Sequence, residues 1–184
     1  MEPIKILKEE HRLIERVLAS LEVAARRLAA GEPIRAGFFI DAATFIQGFA
    51  DDCHHRKEEG GLFPALEKAG IPKEGGPIGV MLAEHEQGRW LTRAMRQAAE
   101  QMQSGAATAH EQIVRNAQDY AALLQQHIWK EENVLFPTAD NVVPEEEQAR
   151  MSAAFERIEH EELGAGTHEK YAGMVEALER EAGA

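Results

Sequence analysis

Apolar residues recur along most of the chain at alternating spacings of three and four, the period of a helix buried on one face. In the first segment the stripe is Ile4, Leu7, His11, Ile14, Leu18, Leu21, Ala25 and Leu28. A looser stripe runs through Ile78, Met81, Leu82, His85, Thr92, Met95, Ala99 and Met102, and another through Ile113, Tyr120, Leu124, His127 and Glu131. Between the first two stripes, Ile40, Ala43, Gln47, Ala50, His54 and Glu58 share one face, while Phe38, Phe45 and Phe49 lie largely on the other. A helix that is apolar on two sides is covered twice. Signals for β-strands are absent.

Punctuation divides these patterns into five helices. The first runs from about Pro3 to Ala30 and stops at Gly31-Glu32-Pro33. The second covers about Ile34 to Ala69, disturbed near Gly60-Gly61 and Pro64. Gly75-Gly76-Pro77 opens the third, which fades at Ser104-Gly105, and the fourth runs from about Ala106 to Phe136, with Pro137 as its stop. After Pro144, Glu145-Glu146-Glu147 sit where a helix N-terminus favours negative charge, and the fifth helix continues toward Arg180 with an irregularity at Gly164-Ala165-Gly166. The predicted fold is all-α: an antiparallel up-down four-helix bundle over residues 1–140, with residues 141–184 as a C-terminal helix packed on it.

Three of the stripes carry a histidine, and the chain is internally repeated around them. His54-His55-Arg56-Lys57-Glu58-Glu59-Gly60-Gly61-Leu62-Phe63-Pro64 aligns with His127-Ile128-Trp129-Lys130-Glu131-Glu132-Asn133-Val134-Leu135-Phe136-Pro137 at an offset of 73 residues. The shared form is H-x-x-K-E-E-x-x-L-F-P. Each copy is preceded by a lone Glu-His pair, Glu10-His11 and Glu84-His85, 43 and 42 residues upstream of the motif histidine. On a helix, His and Glu four apart project from one face, which sets an imidazole nitrogen beside a carboxylate. A single such pair is an ordinary solvated contact; two with the same flanks point to a metal site inside a bundle. A buried carboxylate such as Glu131 is costly unless it is neutralised or ligated.

The ligand set is therefore His11, His54, Glu58, His85, His127 and Glu131, which suits two metals sharing two carboxylates. His55 with Glu59 forms a competing pair one residue out of phase. Because Ile128 aligns with His55, the favoured pair is His54 with Glu58, leaving His55 to support a ligand, to act as an extra ligand or to lie at the surface. In the fifth helix, Glu162, His168 and Tyr171 are candidate additional groups near the centre if that helix covers the doubly apolar second one.

Composition narrows the class. The chain has 184 residues, a net charge of −12 and one cysteine, Cys53. The acidity argues against nucleic acid or anionic membrane as partner. No apolar run approaches the ~20 residues that span a bilayer, and no signal-like pattern precedes the first helix, so a cytoplasmic location is expected. One cysteine builds neither a structural zinc cage nor an iron–sulfur cluster. Cys53 reads as a packing thiol. His85-Glu86-Gln87-Gly88-Arg89 begins like the zinc-protease signature, but Arg89 stands where its second His belongs. No Glu-x-x-His of the ferritin-like kind occurs.

The order His, His-x-x-x-Glu, His, His-x-x-x-Glu, with Lys-Glu-Glu-x-x-Leu-Phe-Pro in both copies, resembles the hemerythrin-like, or HHE cation-binding, family over residues 1 to about 140. The resemblance implies a non-haem, oxo- and carboxylate-bridged centre of two iron ions, with Glu58 and Glu131 bridging and four histidines capping; zinc or manganese are alternative occupants. Oxygen-carrying hemerythrins use five histidines, including a His-x-x-x-His on the third helix. Here Met81 lies four residues before His85 and Arg89 four after it. The pattern looks more like the bacterial branch that includes iron–sulfur repair proteins and hemerythrin-like proteins with catalase activity.

Three functions follow from that resemblance. The first is a di-iron protein binding or reacting with O2, peroxide or nitric oxide in a stress response. The second is iron storage or donation, akin to the repair proteins, and the third a metal-stabilised interaction domain without redox chemistry. On the six-ligand pattern each metal receives two histidines, so the halves are expected to be nearly symmetric. The reduced form is then expected to oxidise in air without carrying oxygen, and the oxidised form to decompose peroxide weakly.

Overall fold

A computed structural model describes residues 1–106, 108–159 and 166–184. Helix α1 (Glu2–Ala29) buries Ile4, Leu7, His11, Ile14, Leu18, Leu21, Ala25 and Leu28, the whole of the stripe. Gly31, at φ 79°, takes the left-handed turn that ends it, and its N–H returns to the Leu28 carbonyl. Helix α2 (Ala36–Phe45) runs without a break into a widened π-type stretch (Ile46–His55), then a second widened turn (Glu58–Leu62), then α3 (Phe63–Lys68). Helix α4 (Pro77–Gln103) follows a short loop. Helix α5 (Ala109–Lys130) leads through a third widened turn (Glu131–Leu135) into α6 (Phe136–Val142). These elements form the up-down bundle: α4 packs on α5, α1 on α5 and α2 on α4.

One difference from the sequence reading concerns a proline: Pro137 does not stop its helix, and it stands, like Pro64 in the disturbed part of the second helix, just after a widened turn. The Phe63 N–H bonds the Glu58 carbonyl five residues back, and Phe136 does the same with Glu131. The extra residue in the turn relieves the clash that a proline makes with the preceding turn of an ordinary helix.

The C-terminal part adds α7 (Glu145–Arg157) and α8 (Thr167–Ala182). Gly166, at φ 85°, opens α8; the rest of the expected irregularity at Gly164-Ala165 lies outside the described residues. Helix α7 rests on the Glu58–Leu62 turn and on α1, and α8 rests on α1 and α2. Together they supply the second cover for the doubly apolar segment. Tyr171 packs 5.8 Å from Phe45 and 5.5 Å from Phe49, ring centre to ring centre. A methyl on Gly48 would collide with the Tyr171 hydroxyl, and one on Gly61 would lie 2.7 Å from the Phe155 ring.

The core is split in two. One apolar cluster holds Ile14, Leu18, Phe45, Phe49, Met95 and Leu124 with their neighbours; the other holds Ile4, Leu7, Leu62, Phe63, Ile78, Leu135 and Phe136. Between them lies a layer of buried imidazoles and carboxylates. Among the described residues no helix is long and apolar enough to cross a membrane.

Candidate metal centre

Helix α1 delivers His11, the first widened stretch delivers His54 and His55, and the next turn delivers Glu58. From the other half come His85 on α4, His127 on α5 and Glu131 on the third widened turn. His11, His54, Glu58, His85, His127 and Glu131 are each at most 1% exposed. The structure brings all six to one place.

The two carboxylates span the halves. Glu58 sets Oε1 3.6 Å from His54 Nε2 and Oε2 3.4 Å from His85 Nε2. Glu131 sets Oε1 3.0 Å from His127 Nε2 and Oε2 3.2 Å from His11 Nε2. None of these four oxygens has a well-formed hydrogen bond, nor have the Nε2 atoms of His11 and His55. Six unpaired polar atoms in a buried layer between apolar clusters would cost several kcal/mol, at about 1–3 kcal/mol each. A cation between them removes that cost. Imidazole nitrogens with carboxylate oxygens suit iron, manganese or zinc, so these residues fit the metal centre that the sequence pattern implies.

Orientation is set one layer out. His11 Nδ1 donates to Glu132 at 2.9 Å, His54 Nδ1 to Glu10 at 2.9 Å, His85 Nδ1 to Glu59 at 2.8 Å and His127 Nδ1 to Glu84 at 2.8 Å. A carboxylate only accepts, so each Nδ1 carries a proton and each Nε2 faces inward, free to offer a lone pair to a cation in place of a proton. This accounts for the rest of the repeated pattern. The second Glu of each Lys-Glu-Glu orients the lone His of the opposite half, and the Glu before each lone His orients the motif His. The lysines neutralise those last carboxylates: Lys57 contacts Glu10 and Lys130 contacts Glu84. Arg89, in the place of a third-helix ligand, instead bonds Glu59 at 2.7 Å. The Phe of each Leu-Phe-Pro stacks on a lone His, Phe136 on His11 at 5.5 Å and Phe63 on His85 at 5.9 Å. The sequence held these outer residues at repeated offsets, but gave them no role.

Charge follows the same logic. Burial works against a charged His127, yet Glu131 and Glu84 lift its pKa to about 10. Burial likewise opposes charge on His11, but Glu131 and Glu58 raise it. The carboxylates thus favour positive charge on His11 and His127.

The halves are not equivalent around the centre, and of the places open to His55 the surface is excluded. His55 is neither exposed nor outside the layer: it is 2% exposed, and its ring stacks on His85 at 3.8 Å. One ligand atom each from His55, Glu58, His85 and His127 falls within 4.8 Å of the others, and the same holds for His11, His54, Glu58 and Glu131. The widened stretch up to His55 changes the helical phase, so two consecutive histidines both face inward.

The remaining candidates stay apart. His168 lies 2.5 Å from Glu159 and 3.8 Å from Glu10, beside the centre without joining it. Tyr171 stays in the apolar layer against Phe45 and Phe49. Glu162 lies outside the described residues. Cys53 is buried, and burial, then Glu10, push its thiol up to about 12, so it packs rather than reacts.

The family model for the hemerythrin HHE cation binding domain matches residues 2–139. The chain is also similar to the uncharacterized proteins Rv1995 of Mycobacterium tuberculosis and Mb2018 of Mycobacterium bovis. Each is 31% identical over 182 residues, covering 96% of this chain and 69% of the relative. No solved structure gives a significant match.

Proposed function

Because the chain belongs to the hemerythrin HHE cation-binding domain family, we propose that it is a non-haem di-iron protein that binds or reacts with O2, peroxide or nitric oxide. The observation that supports this most directly is the position of Glu58 and Glu131. Each turns its two oxygens toward imidazoles of opposite halves, as a carboxylate shared by two cations must. His11 and His54 serve one ion, and His85 and His127 the other. Iron, when bound, supplies ferrous–ferric redox chemistry and a coordination position for a small ligand.

The chain's own residues do the rest. The outer carboxylates fix each Nε2 toward the ions, the stacked Phe63 and Phe136 exclude water, and Lys57, Lys130 and Arg89 balance the outer charge. Ligands with at most 1% exposure suit a retained cofactor better than iron destined for donation. The test is metal analysis of the purified protein together with its spectrum on ferrous loading, on admission of air, and on addition of peroxide or nitric oxide. Two irons per chain, with visible absorption developing on oxidation, are expected. A single ion per chain, or a colourless zinc-filled protein, overturns the reading. Ready transfer of iron to an apo iron–sulfur protein assigns it to iron donation instead.

A further inference from the structure

The halves also differ away from the centre, where two helix contacts that the repeat relates are packed unlike each other. The offsets that carry His11 onto His85 and His54 onto His127 match the contact of α1 with α5 to that of α4 with α2 and the first widened stretch. Between α1 and α5 the gap is filled by Leu18, Tyr120 and Leu124, each at most 2% exposed. The matching residues on the other side are Thr92, Gln47 and Asp51. They leave a cavity of about 300 Å³, with Gln47, Asp51 and Asp52 on one wall and Arg89, Thr92, Arg93 and Arg96 on the other. The three arginines have no basic counterpart, for Glu15, Ala19 and Glu22 stand at the matching places of α1.

Acidic residues outnumber Lys and Arg by 32 to 20 in this chain, so partners for an arginine are plentiful. Arg89 has them, donating to Glu59 at 2.7 Å and to Glu86 at 2.5 Å. Its two neighbours do not. Among the described residues Arg96 donates only to the Thr44 hydroxyl, at 2.8 Å, and Arg93 meets no partner. Standing three apart on α4, the two guanidiniums place like charges side by side, which is unfavourable until an anion joins them. Asp52 lines the same cavity and pairs with neither. Groups of both signs thus face one cleft without closing it.

We propose that this cleft is a second binding site, for a small organic oxyanion that carries a hydroxyl or amine at its other end. Arg93 and Arg96 take the phosphoryl or carboxylate group, because the forked N–H donors of a guanidinium match two oxygens at once. The Gln47 amide donates beside them, and Asp52 accepts from the far end of the ligand. Thr92 already donates to the Gly88 carbonyl at 2.9 Å and Asp51 already accepts from His55, so these two shape the floor. None of the six central residues lines the cleft, and the site needs no metal.

The test titrates the full chain, as purified, with glycerol 3-phosphate, glycerate and inorganic phosphate in a calorimeter. Ionic strength is held fixed so that diffuse charge is screened alike. One molecule per chain is expected, and the tighter of the two organic anions identifies the group that the arginines take. Arg93→Gln and Arg96→Gln should each weaken it by ~10-fold or more, the worth of a charge-assisted hydrogen bond. Arg93 is exposed and unpartnered, so its variant keeps the fold. Arg180→Gln, at an exposed arginine of α8, should bind like the native chain. Asp52→Asn should tighten inorganic phosphate by removing a like charge, and should abolish the advantage of the organic anions over it. Binding that survives in both arginine variants places the anion elsewhere, the metal included, and overturns the proposal. So does an equal loss in Arg180→Gln, or the absence of binding by all three anions.

Discussion

Lys57 and Lys130 occupy the same place in the repeated pattern, and each neutralises the Glu that precedes a lone histidine. Lys57 has no exposed surface and its partner Glu10 only 2%, whereas Lys130 keeps 31% and Glu84 18%. The same contrast recurs further along the pattern, where Gly61 lies under the Phe155 ring while its counterpart Val134 is 50% exposed. Helices α7 and α8 cover the first half and leave the second to solvent. One motif therefore carries one set of roles at two very different energies. The lesson is that a repeated pattern fixes which groups meet, while the surroundings fix what each meeting is worth.

That comparison can be broken most forcefully at the two central carboxylates. Glu58→Ala and Glu131→Ala should each lower metal affinity by more than the ~10–100-fold typical of outer-layer partners, and by similar amounts. Both carboxylates are fully buried and span the halves, so covering one half should not distinguish them. Metal retained in one variant and lost in the other, read by metal analysis after dialysis, would show that only one of them bridges.

The lysines should separate the halves. Lys57→Met leaves the Glu10 carboxylate buried without its ammonium and should cost about 3–5 kcal/mol in denaturant unfolding. Lys130→Met, at a half-exposed pair, should cost about 1 kcal/mol or less. Equal losses would mean that the cover over the first half does not matter energetically.

A smaller effect is expected from exchanging the residues under that cover. Gly61→Val places a side chain against Phe155 and should cost about 1–3 kcal/mol through overpacking. The reciprocal Val134→Gly meets only solvent and should cost no more than ~0.5–1 kcal/mol of helix propensity.

The smallest effect concerns the attachment of α8 in acid. Arg16 bonds Glu179 at 2.8 and 2.7 Å, and this contact holds the Glu179 carboxyl below its ordinary value of 4.5. A depressed acid contributes stability that is fully present above its unfolded value and is lost as pH falls through the folded one. Amide exchange in α8 should therefore quicken below about pH 4.5 relative to α4, and Arg16→Gln should remove that difference. The contact lies at the surface, so the change should be slight and weaker in salt.

The fold was largely legible because helix periodicity and loop punctuation are local. The α1 stripe was buried as read, and the bundle with its C-terminal addition followed from helix count and short connections. The six central residues were legible as one set because duplication marked them, and the structure brings them together. The places where the reading failed share one cause. Periodicity assumes a constant angle per residue, and the widened stretches break that assumption. They carry Pro137 inside a continuous helix, and they turn His55 inward beside His54.

Sequence alone thus determined the residue types at the centre, their pairing four apart, and the outer Glu and Lys that recur at fixed offsets, because each is a matter of spacing along one helix or of likeness between the halves. Tertiary structure decided which outer carboxylate holds which imidazole, since those contacts cross between helices far apart in the chain. It also decided that His55 joins the buried layer and that one half of the repeat lies beneath α7 and α8. Likeness between the halves could not reveal those two facts, because they are where the halves differ.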